Sequence, residues 1–177
     1  MQIPLFSTAA QTVLLRPLAL SDAAGFAQHA NNFEIARRLT DGFPHPYTLE
    51  YAQIFISKTM EDTPTQVFVI VVNGEAVGGI GVHPKSGIER KNMELGYWLA
   101  EPFWGQGIIT AAIPAIVAYA FRTFDITRIY ARPFGTNIGS QRVLEKAGFV
   151  LEATFSKTLY KNDEYEDELI YAIRNKN

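Results

Sequence analysis

Residues 97–110 read Tyr97-Trp-Leu-Ala-Glu-Pro-Phe-Trp-Gly-Gln-Gly-Ile-Ile-Thr110, an apolar run, then two glycines one residue apart, then the start of a long apolar stretch. That order predicts a strand that enters a glycine-rich loop and opens a helix. The first N–H groups of a helix have no carbonyl partner inside it, and the positive end of the helix dipole lies there, so such a loop suits a pyrophosphate. Gly105 and Gly107 would let the backbone come close to phosphates where a Cβ would obstruct. Gln106, Ile108, Ile109 and Thr110 complete the run of candidate donors. Two common phosphate loops do not fit. A dinucleotide fingerprint needs a third glycine where Thr110 stands, and a P-loop needs Gly-Lys-Ser/Thr. Taken alone, the loop is equally a helix start with glycines in a tight turn.

A second polar cluster is Asn137-Ile-Gly-Ser-Gln-Arg-Val-Leu-Glu-Lys-Ala-Gly-Phe149. Thr136 or Asn137 suits a helix N-cap, Gly148 a helix end, and Val143, Leu144 and Ala147 a buried face. Capping and packing explain that apolar spacing. They do not explain why Asn137, Ser140 and Arg142 gather in the first turns, directly after a strand.

Composition narrows the chemistry. The 177 residues include no cysteine, which excludes disulfides, thiolate zinc sites and an acyl-cysteine intermediate. His29, His45 and His83 lie far apart and lack partners at helical ligand spacing, so no metal is expected. The net charge is −2 and no dense Lys/Arg run occurs, which argues against a general nucleic-acid or anionic-membrane surface. No apolar run approaches the roughly 18 to 20 residues of a membrane span, and the N-terminus lacks a basic segment before a long apolar one. The chain is expected to be soluble and cytoplasmic.

The elements that must position these residues follow from period and punctuation. Residues 13–18 predict a first strand, with Pro17 at an edge or end. Ser21-Asp22 predicts an N-cap for a helix through Ala30, and residues 33–39 a second helical piece. Thr48 predicts the cap of a third helix with Tyr51, Ile54 and Phe55 on its apolar face. From Gln66 the period changes. Residues 67–72 and 75–82 around Asn73-Gly74 predict a hairpin with a type I′ turn. Residues 93–100 and 128–132 read as strands, 105–124 and 137–147 as helices, and 149–160 with 165–174 as a closing hairpin. No linker or repeat divides the chain, so one domain over residues 1–177 is expected, an α/β mixed sheet with helices on its faces.

Two motifs in this order resemble the GNAT superfamily of N-acetyltransferases. Trp104-Gly-Gln-Gly-Ile-Ile is similar to its acyl-CoA loop. Asn137-x-x-Ser140-x-Arg-Val-Leu-Glu-Lys-x-Gly-Phe149 resembles the second signature of the branch containing the RimJ/RimL ribosomal-protein N-terminal acetyltransferases. Glu94-Leu-Gly-Tyr-Trp-Leu-Ala and Asp41-Gly-Phe-Pro-His-Pro-Tyr-Thr-Leu-Glu50 are also of that branch's type, so the resemblance covers nearly the whole chain from Val13. There are departures. Trp104 and Ile109 stand where the superfamily often has Gln or Arg, and Gly or Ala, although Trp is usual for the branch. Pro114 falls inside the helix, where it should kink it or remove one backbone hydrogen bond.

The resemblance implies a central twisted, mostly antiparallel sheet whose splayed strands hold an acetyl-CoA arm. Backbone groups of Trp98 and Leu99 would pair with that arm, and the N–H groups of residues 105–110 would take the pyrophosphate. Without cysteine, direct attack of an amine on the thioester is the natural route, with Glu94 as candidate base and Ser140 as candidate donor to the leaving thiolate. Asn137 would orient the acetyl-pantetheine end. Glu94 is equally read as paired with a cation, and Ser140 as a first-turn cap. Residues 31–51 would build the acceptor site, lined by Phe33, His45 and Tyr47, and Phe43 is more simply packing. Asp163, Glu164, Glu166, Asp167 and Glu168 could attract a cationic acceptor, but such a run is more often a solvated hairpin. The acceptor is a protein N-terminal amine or a small-molecule amine. A homodimer is a family-level expectation only. The competing class is a non-catalytic acyl-CoA sensor.

Overall fold

The switch of hydrophobic period at Gln66 marks where helices give way to sheet. The described chain, residues 1–175 of a computed structural model, runs β1 (Ile3–Ser7), β2 (Thr12–Pro17), α1 (Ala23–Ala30), α2 (Phe33–Ala36), α3 (Leu49–Thr59), β3 (Val67–Val72) and β4 (Glu75–Pro84). It continues with β5 (Asn92–Leu99), α4 (Ile108–Thr123), β6 (Arg128–Ala131), α5 (Ile138–Lys146), β7 (Val150–Lys161) and β8 (Glu164–Arg174). The strands hydrogen-bond in the order β1-β2-β3-β4-β5-β6-β8-β7. β1 with β2, β2 with β3, β3 with β4, β6 with β8 and β7 with β8 are antiparallel, while β5 with β6 is parallel. This is the mixed α/β sheet expected. Among the described residues, no helix is long and apolar enough to cross a membrane.

The chain forms two compact units, Met1–Gly81 with Tyr97–Ala115, and Val82–Gly96 with the chain from Ile116 onward. The boundaries fall inside β4, β5 and α4 rather than in linkers, so no composition shift announces them.

In the first unit, Val67, Val69 and Val71 of β3 pack with Phe26 and Ala30 of α1 and with Ala52 and Ile56 of α3. All six β3 residues are buried, which explains a continuous apolar run in place of alternation. Asn73 and Gly74 both have positive φ, 50° and 89°, as a type I′ hairpin requires. Thr48 caps α3 by accepting the Tyr51 N–H at 3.1 Å. The buried face of α3 is Ala52 and Ile56; Ile54, expected inward, is exposed, and Tyr51 and Phe55 flank the core. Two other readings change. Ile3–Ser7 forms an edge strand before the first one expected, and the second helical piece stops at Ala36.

Asp22 does not cap α1 through its side chain. Its carboxylate is 4% exposed and receives both guanidinium ends of Arg16, at 2.7 and 2.6 Å, and the Ala19 N–H at 2.9 Å. Hydrogen bonding to Asp22 raises Arg16 above its ordinary range. This pair ties β2 to the turn that starts α1.

In the second unit, both ends of α5 are closed by the chain itself. Asn137 accepts the Ser140 N–H at 3.2 Å. At the other end Gly148 (φ 88°) donates to Glu145 and Phe149 donates to Leu144, each at 3.0 Å, the pattern of a Schellman cap. β7 is the outer strand, with Val150, Leu151, Phe155 and Tyr160 exposed. Its register with β8 shifts between Phe155 and Leu159.

Breaking a buried ion pair from one side leaves a charge without its partner. Asp22→Ala should therefore lower stability by about 3 kcal/mol, measured by denaturant unfolding. A change within about 0.5 kcal/mol, the range of ordinary surface substitutions, would show that the pair does not anchor α1.

Candidate functional site

The glycine loop is built from its flanks inward. Ala100 donates its N–H to Val77 at 2.8 Å, which turns that residue toward β4. Backbone direction alternates along a strand, so Trp98 also faces β4, whereas Leu99 faces the opposite edge. Of the two residues expected to pair with an incoming arm, Leu99 therefore has the suitable edge. Its carbonyl accepts the Trp104 indole N–H at 2.7 Å. The Trp98 ring packs edge-on against Phe26 at 5.0 Å and Phe43 at 5.9 Å.

Residues 101–103 form a short 3-10 turn, after which Gly105 and Gly107 take φ of 74° and 77°. α4 begins only at Ile108, so the glycines precede the helix they were expected to start. A Cβ built at either glycine meets nothing within 4 Å. What glycine supplies here is the left-handed backbone. Gln106 is fixed at both amide ends, donating to Pro102 at 2.8 Å and accepting from Gln11 at 3.1 Å. Ala111 makes the first turn's bond to Gly107 at 3.0 Å. The N–H groups of Ile108, Ile109 and Thr110 are thus those a helix start leaves without intrahelical partners. Arg38, which sequence reading passed over, lies with its guanidinium 5.3 Å from the Trp104 ring centre. α4 continues through the exposed Pro114, whose missing N–H removes the bond that the Thr110 carbonyl would receive.

Asn137 and Ser140 sit together at the start of α5. The Asn137 Oδ1 caps, leaving its Nδ2 without a protein partner among the described residues. Ser140 is half-buried and Arg142 is exposed. Gln141 donates to the Gly135 carbonyl at 2.8 Å, and Gly135 donates to Asp167 at 2.8 Å, which fixes the approach to the helix.

Glu94 lies on β5 opposite Tyr130 of β6. Its Oε2 accepts the Lys85 ammonium at 2.7 Å and the Tyr130 hydroxyl at 3.3 Å. The ion pair is therefore present, and both side chains remain about a quarter exposed, 30% for Lys85 and 27% for Glu94. Lys85 and Tyr130 are polar neighbours that sequence reading missed. Alternation on residues 128–131 would have indicated which face Tyr130 takes, but not which carboxylate it meets.

The expected acceptor residues separate. Phe33 is half exposed, and its ring lies 5.8 Å from that of His45, which is also exposed. Tyr47 is 3% exposed, its ring tilted against Phe43 and edge-on to Tyr51 at 5.0 Å each, and burial pushes its phenol well above the usual range. The Tyr47 side chain serves packing.

Comparison with known proteins matches residues 12–150 to the acetyltransferase (GNAT) domain. The Bacillus subtilis (strain 168) protein named "Putative ribosomal N-acetyltransferase YdaF" is 34% identical over 104 residues, 59% of this chain and 56% of that one. The ribosomal-protein-serine acetyltransferase of Escherichia coli (strain K12) is 31% identical over 107 residues, 60% of this chain and 59% of that one. The chain thus spans a little over half the length of these two relatives. The structure of Mycobacterium smegmatis RimJ in complex with CoA-disulfide superposes with a TM-score of 0.79 at 25% identity, covering 97% of this chain and 90% of that one.

A left-handed φ costs a residue with a Cβ roughly 1–2 kcal/mol. Gly107→Ala should lose about that much in unfolding free energy, because conformation and not collision sets its cost. An unchanged midpoint would show that the loop relaxes to another geometry at no cost.

Proposed function

Because this chain belongs to the GNAT acetyltransferase family, we propose that it transfers an acetyl group from acetyl-CoA to a primary amine, with a protein N-terminal amine as the favoured acceptor. The observation that carries the reading is the loop at residues 105–110: two left-handed glycines in front of α4, within the span matched to the family domain. Its donors suit a pyrophosphate, which the helix dipole also favours. Leu99 offers backbone groups on the outer edge of β5 to the arm's amides, as an added strand would use them. The names of the relatives YdaF and ribosomal-protein-serine acetyltransferase favour a polypeptide acceptor over a small-molecule amine. Net charge −2 and the absence of a long Lys/Arg run fit a cytoplasmic protein whose partners are acetyl-CoA and the acceptor, not nucleic acid.

In this reading Glu94 removes a proton from the acceptor ammonium, and the amine attacks the thioester carbonyl. Collapse of the adduct breaks the C–S bond, and the Ser140 hydroxyl protonates the departing thiolate while taking up the proton that the acylated nitrogen releases. Asn137, held by its own cap, presents Nδ2 to the acetyl-pantetheine end. Phe33 and His45 form part of the acceptor wall. The Glu94–Lys85 pair would suit a non-catalytic acyl-CoA sensor equally well, and turnover distinguishes the two.

Thermal unfolding with acetyl-CoA, with NAD as control, tests the cosubstrate. A ligand at about one hundred times its dissociation constant adds roughly 2.7 kcal/mol to the folded state. A shift with acetyl-CoA alone is expected, and no shift would remove the basis of the reading. Thiol release with peptide and small amines then tests transfer; binding without release to any amine would favour the sensor. Ser140→Ala should slow turnover about a hundredfold, a loss typical of a removed acid–base group, with little change in acetyl-CoA affinity. Loss of affinity alone would make Ser140 structural.

A further inference from the structure

Glu94 is the last residue of β5 in register with β6, and Tyr130 stands directly across from it. The Lys85 ammonium and the Tyr130 hydroxyl both donate to the same oxygen, Oε2, at 2.7 and 3.3 Å. Among the described residues, Oε1 has no protein donor. The clamp is itself supported. The Lys85 backbone N–H is bonded to the Asn92 carbonyl at 3.1 Å, so both its main chain and its side chain are tied to β5. The Tyr130 ring carries Lys85 Nζ at 5.6 Å and the Arg128 guanidinium at 4.7 Å from its centre. Arg128 is in turn held by Asn92 at 3.0 Å and by Glu152. Hydrogen bonds to Glu94, then to Tyr130, keep the Lys85 ammonium above its ordinary range, so it stays charged at neutral pH.

A carboxylate free to rotate presents its two oxygens interchangeably. Two donors on one oxygen remove that symmetry and fix the plane of the group. We infer that Lys85 and Tyr130 are positioning residues that clamp Oε2 of Glu94 and leave Oε1 to take the acceptor's proton. This rests on the reading of Glu94 as base. Lys85 supplies charge and most of the restraint, and Tyr130, stiffer and with its ring against two cations, supplies direction.

The test is a double-mutant cycle on turnover. Tyr130→Phe removes only the hydroxyl and keeps the ring beside both cations; Lys85→Met removes the charge and keeps much of the chain's length. Misplacement of a reacting group by about 1 Å can cost on the order of a hundredfold, so Lys85→Met should lower kcat at least about tenfold, and Tyr130→Phe several-fold. KM for acetyl-CoA should stay within about twofold, since neither residue belongs to the glycine loop. In a Glu94→Gln background neither substitution should slow the enzyme further, because both act through that carboxylate. Equal losses with and without Glu94 would overturn the proposal. So would wild-type kcat in Lys85→Met and Tyr130→Phe while Glu94→Gln is slow, an outcome that leaves Glu94 as the base. Full turnover in Glu94→Gln would overturn the clamp and the base assignment together, while acetyl-CoA binding and transfer would still stand.

Discussion

Parallel strands hold one another only as far as their register lasts, and β5 and β6 share three residue pairs, from Asn92 with Arg128 to Glu94 with Tyr130. Much of the proposed chemistry depends on where that pairing stops. Glu94 and Tyr130, as the last pair, are brought side by side, with Lys85 close enough to join them. β5 then continues to Leu99, whose backbone faces the edge away from β4, and the chain runs straight into the glycine loop. A shorter ladder would leave the carboxylate without its partner across the sheet.

The second support is local. Gly105 and Gly107 turn the chain into α4, whose first N–H groups have no carbonyl ahead of them within the helix, and the loop's neighbours keep it there. Trp104 is pinned to Leu99, and Gln106 is held between Pro102 and Gln11. α5 follows the same economy, with Asn137 and Gly148 satisfying its ends from within the segment. Apart from the bond to Gln11, the bonds that frame the first turns of both helices lie within a few residues of one another along the chain.

Short-range order is also why these parts were legible in the sequence. Two glycines before an apolar period, an Asn-Gly pair between apolar runs, and an N-cap with a glycine stop are each decided within a few residues. The Asn73-Gly74 turn, the Thr48 cap and the α5 boundaries accordingly match the sequence reading. What was not legible depends on partners far along the chain. Ile54 has the spacing of a buried residue, yet α3 turns Ala52 and Ile56 inward, because the surface it meets is β3. Asp22 has the type and place of a cap, yet Arg16 claims it. Tyr47 has the aromatic character of a binding residue and fills the core. Glu94 stands out by its place on the strand before the loop, but its two polar neighbours do not, since Lys85 and Tyr130 belong to different strands or their extensions.

β7 is twelve residues long, lies at the outside of the sheet and exposes Val150, Leu151, Phe155 and Tyr160. A flat edge of that length invites other chains to add to it, strand upon strand. The break in register between Phe155 and Leu159 interrupts such growth. There Lys157 takes a left-handed φ of 54° and turns its N–H to the Asp167 carboxylate at 2.8 Å. No uninterrupted stretch of the edge is then as long as the strand itself, and a lysine stands at the interruption. The irregularity that makes β7 a poor strand by local geometry thus keeps an apolar margin from serving as a template for aggregation.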